Sequence, residues 1–444
     1  MSVQQSKEHK TAVGPDISVS IFGGILDYDG AGHYPGIELL NLVYGCKDPV
    51  LLPGTPAVKI KRRSLDFARK LVWDEHFKTH PERQQVILNE ESEDALAGLL
   101  ECLQLKIPST TKRPGWDRAH FFPYTKSLIH YDARVSKSTK PWNHRVGIER
   151  RYLRGGGALA FKILRLDPDG SRLERNRQGF TRLYITTDDG PLDRLVETMA
   201  THSSSDDVAM EDRVEEKSKV KNDELDDLYR DGVCSILEHH EVSAVAQIKA
   251  LVNWTAIWLA IMQSVRSEAF IDPASAPSPL VFDCGAGNAQ LRRASQRCLK
   301  EKLSIIAKAV EIGREKEFGE GSSLSNKQRD KIRSFFWATA ATAQLLNSWR
   351  GRRHFSLGLD ALETLVLAGV PRGAQMTLDD FVHKWLFEKC HMLVARPAAS
   401  KSGLLETFDA SIFEDNEERL TELLSAAGLL TEYSDATRMV GVEI

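Results

Sequence analysis

The chain has 444 residues, of which 42% are hydrophobic and 27% charged, and its formal net charge is -3. This length predicts two or three domains, and the composition is typical of a soluble globular protein. The small net charge excludes a general attraction of the whole chain to nucleic acid, so any nucleic-acid surface has to be local. The six cysteines are scattered without a C-x-x-C pair, which argues against a zinc ribbon and predicts a reducing compartment. The N-terminus lacks the apolar core of a secretory signal, and we therefore expect a cytoplasmic protein.

The first 202 residues are predicted to form a basic α+β domain. Residues 17–26 have the β-branched character of a strand, and residues 37–44 are typical of a short helix. Between residues 145 and 187 the apolar pattern changes to alternation, with a glycine triplet at residues 155–157 and a turn signal, Asp-Pro-Asp-Gly, at residues 167–170. This pattern predicts three strands: Val146–Leu153, Ala158–Leu166 and Phe180–Thr187.

The second half of the chain is predicted to be helical. Residues 203–224 are polar and mainly acidic, which predicts a solvated linker. Residues 225–400 follow as a helical domain. Within it, residues 242–270 are apolar on nearly every side, including Trp254 and Trp258, and such a helix is buried all round. Only 16 residues separate Lys249 from Arg266, fewer than the about 20 that a membrane span needs, so we expect the central helix of a soluble domain.

Residues 401–444 form the predicted tail. An amphipathic helix at residues 416–427 is followed by Gly-Leu-Leu and by a hairpin pattern at residues 432–442. This order of a helix and a β-hairpin resembles the end of winged-helix modules. The whole prediction is thus an α+β N-terminal domain, then a mainly α-helical C-terminal domain with a winged-helix-like tail.

The sharpest motif is the sequence VFDCGAGN at residues 281–288. It resembles the first motif of Rossmann-like methyltransferases that use S-adenosylmethionine, in which a strand ends in an acid and a glycine turn opens a helix. The resemblance implies that Asp283, Gly285 and Gly287 line the cofactor and that Glu311 holds its ribose. A helical core that uses Gly-x-Gly to turn between two helices explains the same residues. We favour this structural role and predict no cofactor, metal or catalytic residue.

Local charge is more informative than any catalytic motif. Residues 133–182 contain thirteen lysines and arginines against four acids, and residues 59–70 contain six against one. A third cluster follows Trp349. Cations interleaved with aromatic residues are typical of phosphate contact and base stacking. The predicted nucleic-acid-binding residues are Arg145, Arg150, Arg151, Arg154, Arg350, Arg352 and Arg353.

These patterns predict a non-catalytic, nucleic-acid-binding subunit of a cytoplasmic multiprotein assembly, for example a DNA-processing or phage-defence system. DNA is the preferred ligand over RNA, the other partners are protein subunits, and no membrane is involved. The first alternative is a methyltransferase that uses the Asp283 loop. The second is a protein scaffold whose basic faces bind acidic partners.

Overall fold

The structure is a computed structural model, in which α-helices form most of the regular structure. It describes these residues: 15–26, 28, 34–45, 51, 58–61, 72, 78–79, 81–105, 121–129, 133–135, 146–148, 155–184, 190, 194, 209–212, 218–319, 321, 323–348, 352–433 and 437–442. The helices of the first half are α1 (Pro15–Phe22), α2 (Pro35–Gly45), α3 (Pro81–Val86), α4 (Glu90–Leu103), α5 (Gly156–Arg165) and α6 (Gly170–Arg182). The helices of the second half are α7 (Glu224–Glu238), α8 (Ala244–Ile271), α9 (Ala289–Phe318), α10 (Asn326–Thr342), α11 (Leu359–Gly369), α12 (Leu378–Asp380), α13 (Arg396–Lys401) and α14 (Ser411–Ala426). A π-helix, Phe381–Lys389, continues α12, and two 3-10 turns lie at Lys126–Leu128 and Leu404–Glu406.

Helix α8 is the centre of the molecule, which confirms the prediction for residues 242–270. Nineteen of its 28 residues are buried, and α1, α2, α7, α9, α10 and α11 pack around it. Both tryptophans are fully buried, and their indole N–H groups donate to the carbonyls of Tyr229 (3.1 Å) and Leu225 (2.8 Å) in α7. By length and composition α8 could cross a membrane, but most of its apolar surface is covered by the protein itself.

The N-terminal helices belong to the same hydrophobic core as the C-terminal ones. Buried apolar side chains from Ile17 in α1 to Val440 near the C-terminus form one continuous cluster. Close approach of the helices depends on glycines, because a side chain on Gly36 would collide with the backbone of Val252 in α8. A side chain on Gly157 would collide with the backbone at Pro35 in the same way. The predicted domain boundaries at residues 202, 224 and 400 stay a prediction.

Three of the predicted strands are wrong. Residues 17–26 lie mostly in α1, residues 158–166 lie mostly in α5, and the described part of residues 180–187 ends α6. All three stretches are buried on several sides, and an apolar run without a clear period does not distinguish a strand from a buried helix. The predicted turn before α6 is a helix start, because the Asp169 side chain accepts the N–H groups of Ser171 (2.9 Å) and Arg172 (3.2 Å).

The strands of the described part are short and form four small sheets. Strand β1 (Val58–Lys61) pairs antiparallel with β4 (Ala209–Asp212), and β2 (Ala133–Val135) pairs with β3 (Val146–Ile148). Strand β5 (Leu280–Val281) runs parallel to β7 (Met392–Leu393). A three-stranded antiparallel sheet has β9 (Arg438–Val440) between β6 (Met376–Thr377) and β8 (Leu430–Glu432). The predicted C-terminal hairpin is therefore confirmed, and the prediction for residues 146–153 holds for the three residues of β3.

The predicted linker contains ordered structure at both places where it is described. Residues 209–212 form β4, and the main chain of Lys219 donates to the carbonyl of Gly23 at 2.7 Å. Immediately after this contact, Asp223 and Asp226 accept hydrogen bonds of 2.8 and 2.6 Å from the buried guanidinium of Arg266 in α8. These contacts attach the start of α7 to the central helix.

Candidate functional site

A glycine loop, residues 283–288, connects β5 to the first turn of α9. Gly285 and Gly287 have φ angles of 93° and 85°, which side chains other than glycine rarely adopt. A Cβ atom on Gly287 would have no neighbour within 4 Å, and one on Gly285 would meet only Arg419 Nε, at 4.0 Å. The outer surface of this loop is thus open, so a ligand can approach its backbone closely.

The inner side of the glycine loop is held by the buried side chain of Asp283. Its Oδ1 accepts the N–H of Gly285 at 2.9 Å, and its own N–H donates to the carbonyl of Phe355 at 3.0 Å. At the other end, Asn288 Oδ1 accepts the N–H groups of Gln290 (2.9 Å) and Leu291 (3.2 Å), the first residues of α9. These bonds hold Gly285 and the two ends of the loop in place.

The buried side chain of Asn416 in α14 joins the tail to the glycine loop. Its Oδ1 accepts the N–H of Cys284 at 2.8 Å. Its Nδ2 donates to the carbonyls of Phe282 at 3.0 Å and Val394 at 2.9 Å. One amide therefore links α14 to the residues that directly follow β5 and β7, and the position of α14 is coupled to the loop.

Five arginines belong to three separate segments that contact the glycine loop, and we call them the arginine cluster. Arg292 Nε lies 3.4 Å from Asp283 Oδ2, and Arg293 beside it is exposed. Arg352 is exposed, and Arg353 lies over the ring of Trp337, with its guanidinium carbon 4.3 Å from the ring centroid. The cluster consists of Arg292, Arg293, Arg352, Arg353 and Arg419.

His354 connects the segment of Arg352 and Arg353 to the loop. Its Nε2 lies 3.5 Å from Asp283 Oδ2, and the ring is almost completely buried. Burial lowers the pKa of His354, Arg292 lowers it further, and the nearby carboxylate of Asp283 acts in the opposite direction. His354 is consequently neutral at pH 7 and adds no positive charge to the site.

Cys284 is the nucleophilic side chain inside the loop. Burial raises the pKa of its thiol, and the neighbouring Asp283 raises it further. A thiol with a raised pKa is not ionised at neutral pH and is therefore a weak nucleophile. Across the described ranges no group of three or more His, Cys, Asp or Glu side chains could hold a metal ion. Cys284 therefore does not supply a reactive thiolate at the loop.

Two of the seven predicted binding residues, Arg352 and Arg353, lie in this site. The other five are outside the described residues, and they are Arg145, Arg150, Arg151, Arg154 and Arg350. Sequence reasoning treated the glycine loop and the cluster after Trp349 as separate features, whereas the structure brings them together. It missed Arg292, Arg293 and Arg419, although the first two directly follow the glycine motif.

Two arginines of the predicted basic region pair with acids of α7, which are distant in the sequence. Arg172 forms ion pairs with Asp167 (2.7 Å), Asp227 (2.7 Å) and Asp231 (2.6 Å). Arg175 pairs with Glu238 at 3.0 Å in the same way. The acids of α7 compensate the charge that was counted in residues 133–182, so the described part of this region is less basic than predicted.

The methyltransferase pattern is not reproduced around Asp283. Strand β5 has two residues and pairs with β7, which also has two, so the described residues contain no extended parallel sheet here. Glu311 lies within α9 and binds Arg329 at 2.7 Å. At about 1.5 Å per residue, it is roughly 33 Å from the first turn of the helix. The role that the methyltransferase resemblance implies for Glu311, holding a ribose at this loop, is incompatible with the structure.

Comparison with known proteins gives no match: no protein-family model, no curated protein and no solved structure matches this chain. The functional argument accordingly depends on the geometry of the glycine loop and on the arginine cluster.

Proposed function

We propose that the protein is a non-catalytic, nucleic-acid-binding subunit of a cytoplasmic multiprotein assembly, and that the arginine cluster is its phosphate-binding surface. One observation carries the proposal: Arg292 and the segment that contains Arg352 and Arg353 meet at the buried carboxylate of Asp283, beside a solvent-exposed glycine loop. Guanidinium groups bind phosphate oxygens with two parallel hydrogen bonds, which favours arginine over lysine at such sites.

The first turn of α9 adds to this attraction. A helix of 30 residues carries partial positive charge at its N-terminus, where the glycine loop lies. Contacts of this kind bind phosphate without reading bases, so the expected binding is independent of sequence and sensitive to salt. DNA is the ligand we propose to test first.

The tail is proposed to be a winged-helix-like module that contacts proteins rather than a DNA groove. Helix α14, the hairpin of β8 and β9, and the pairing of β9 with β6 support the winged-helix arrangement. The exposed side chains of α14 are predominantly acidic, and carboxylates repel phosphates. These exposed acids are Glu414, Asp415, Glu418 and Glu422.

Charge reversal in the arginine cluster tests the proposed function. The variant Arg293→Glu/Arg352→Glu changes two exposed side chains and should weaken binding to a labelled DNA duplex and single strand by at least about tenfold, measured by fluorescence anisotropy. The matched control, Lys308→Glu/Lys327→Glu, makes the same change in net charge at exposed positions outside the cluster and should bind like wild type.

If wild type binds neither DNA nor RNA at low salt, the proposed function is wrong, and the cluster is better explained as a docking surface for an acidic protein. If both double variants weaken binding equally, the protein binds nucleic acid through its general charge and the assignment to the cluster fails.

A further inference from the structure

The outer face of α9 carries a row of cations that continues beyond the glycine loop. Arg293, Arg297 and Lys300 are exposed and follow one another at intervals of four and three residues. Residues three or four positions apart lie on the same side of an α-helix, so the three side chains form one row. The opposite side of the helix is buried in the core, for example at Leu299 and Leu303, and this packing keeps the row turned towards solvent.

Within the described part of the chain, the row on α9 has no acidic partners. None of its three cations forms an ion pair with a described residue. The tail differs, because Arg396 pairs with Glu414 at 2.6 Å and Lys401 pairs with Glu388 at 2.9 Å. Cations without acidic partners attract a polyanion more strongly than cations that are already paired.

Acids on the later turns of α9 give the row an end. In steps of three or four residues, the same face leads from Lys300 through Lys308 to Glu311 and Glu315. Carboxylates repel phosphates, so the attraction for a nucleic-acid backbone weakens along this part of the helix. A strand that lies on this face is therefore expected to leave it before Lys308.

The length of the row matches a short stretch of nucleic-acid backbone. Lys300 follows Arg293 by seven residues, which corresponds to about 10 Å along the helix at about 1.5 Å per residue. Each strand of duplex DNA carries one charge per about 3.4 Å of its axis, so the row spans about three phosphates.

From this geometry we propose that a nucleic-acid strand lies along the first three turns of α9, where Arg293, Arg297 and Lys300 contact successive phosphates. This inference rests on the proposed function and adds a direction to it, because the phosphate-binding surface continues from Arg293 of the arginine cluster along the helix. The contacts neutralise phosphates without reading bases, so the position of the strand is independent of its sequence.

The test measures the salt dependence of binding by fluorescence anisotropy, with the full chain and a labelled DNA duplex or single strand. The variant Arg297→Gln/Lys300→Gln removes two cations of the row that lie outside the arginine cluster. We expect it to weaken binding at low salt by at least about tenfold and to reduce the slope of log K against log salt concentration by about two. The control Lys308→Gln/Lys327→Gln should leave both quantities unchanged.

Two further variants on this part of α9 separate a loss of charge from a change in structure. Arg297→Lys/Lys300→Arg exchanges the two side chains but keeps their charge, so it should retain the slope of wild type. Glu301→Gln removes the only acid in residues 289–304 and should tighten binding, because its carboxylate lies four residues from Arg297 and repels phosphates there.

The outcomes distinguish the inference from the proposed function. If Arg297→Gln/Lys300→Gln binds like wild type while Arg293→Gln/Arg352→Gln binds more weakly, the strand does not follow α9, and the inference fails while the proposed function stands. If the lysine control weakens binding as much as the α9 variant, the protein binds through its general charge and the inference is overturned. If wild type binds no nucleic acid at low salt, both are wrong, and an acidic protein is the better ligand for the row.

Discussion

Asn416 shows how much of the site depends on one buried side chain. Replacing it with leucine keeps the volume but leaves the N–H of Cys284 and the carbonyls of Phe282 and Val394 without their partner. Each unpaired buried group costs roughly 1–3 kcal/mol, so we expect Asn416→Leu to lower the free energy of unfolding by about 3 kcal/mol or more.

Urea unfolding measures this loss. The control is Asn326→Leu, at an exposed position in α10, which should change the free energy of unfolding by less than about 0.5 kcal/mol. A loss below about 1 kcal/mol for Asn416→Leu would show that α14 and the glycine loop are not coupled through this amide.

Two histidines make stability depend on pH. The pKa values of His354 and His391 are lowered, in both cases mainly by burial. These histidines bind protons more readily in the unfolded chain than in the folded protein. The stability that they contribute in their neutral form is therefore fully present above the unfolded pKa of about 6.5 and is lost as the pH falls below it. We expect the melting temperature to decrease from about pH 7.5 to about pH 5.5, the range in which histidine titrates.

The variant His354→Gln/His391→Asn removes two of the three described histidines whose pKa is lowered, leaving His240, and should reduce this decrease. Asparagine is suitable at position 391 because the φ angle there is 54°, a conformation that asparagine tolerates. Identical pH dependence in the variant and wild type would contradict the account.

At the scale of elements, glycines determine how closely the N-terminal helices pack on the core. Gly36→Ala would push a methyl group into the backbone of Val252, which cannot move away as a side chain can. Forcing extra atoms into a packed interior typically costs about 1–3 kcal/mol, so we expect a clearly lower melting temperature. Gly98→Ala in α4, where the added methyl meets nothing within 4 Å, should instead stabilise the protein by up to about 1 kcal/mol. Equal melting temperatures for both variants would mean that α2 does not pack against α8 as described.

The elements that the sequence predicted well are those with a distinctive local signal. Helix α8 is apolar on nearly every side, and a helix with this pattern is buried. The segment after Gly155 gave no such signal. It was interpreted as strands because its apolar residues are dense, but these residues are buried because α5 packs on α2 through Gly157. That contact joins residues more than a hundred positions apart, so local periodicity does not contain it.

At the scale of the whole molecule, local sequence also fails to predict surface charge, because it does not show which charged side chains form ion pairs. Counting cations along residues 133–182 indicated a basic surface, yet two of the three acids that pair with Arg172 come from α7. At the candidate site, tertiary structure instead reveals a site that the sequence did not predict. Neither the glycine motif nor the pair Arg352 and Arg353 was sufficient alone to predict it. The glycine motif and the segment of Arg352 and Arg353 come together at Asp283 because residues 352–355 pack against the loop. This packing is a tertiary contact, so it cannot be predicted from local sequence.

The central claim is that the arginine cluster binds phosphates, and the salt dependence of DNA binding tests it most directly. Each cation that contacts a phosphate releases a counterion, so it adds about one to the slope of log K against log salt concentration. We predict that Arg293→Gln/Arg352→Gln reduces the magnitude of this slope by about two relative to wild type, while Lys308→Gln/Lys327→Gln leaves it unchanged. A slope that is the same in wild type and in the arginine variant would contradict the account, because these arginines would then contact no phosphate.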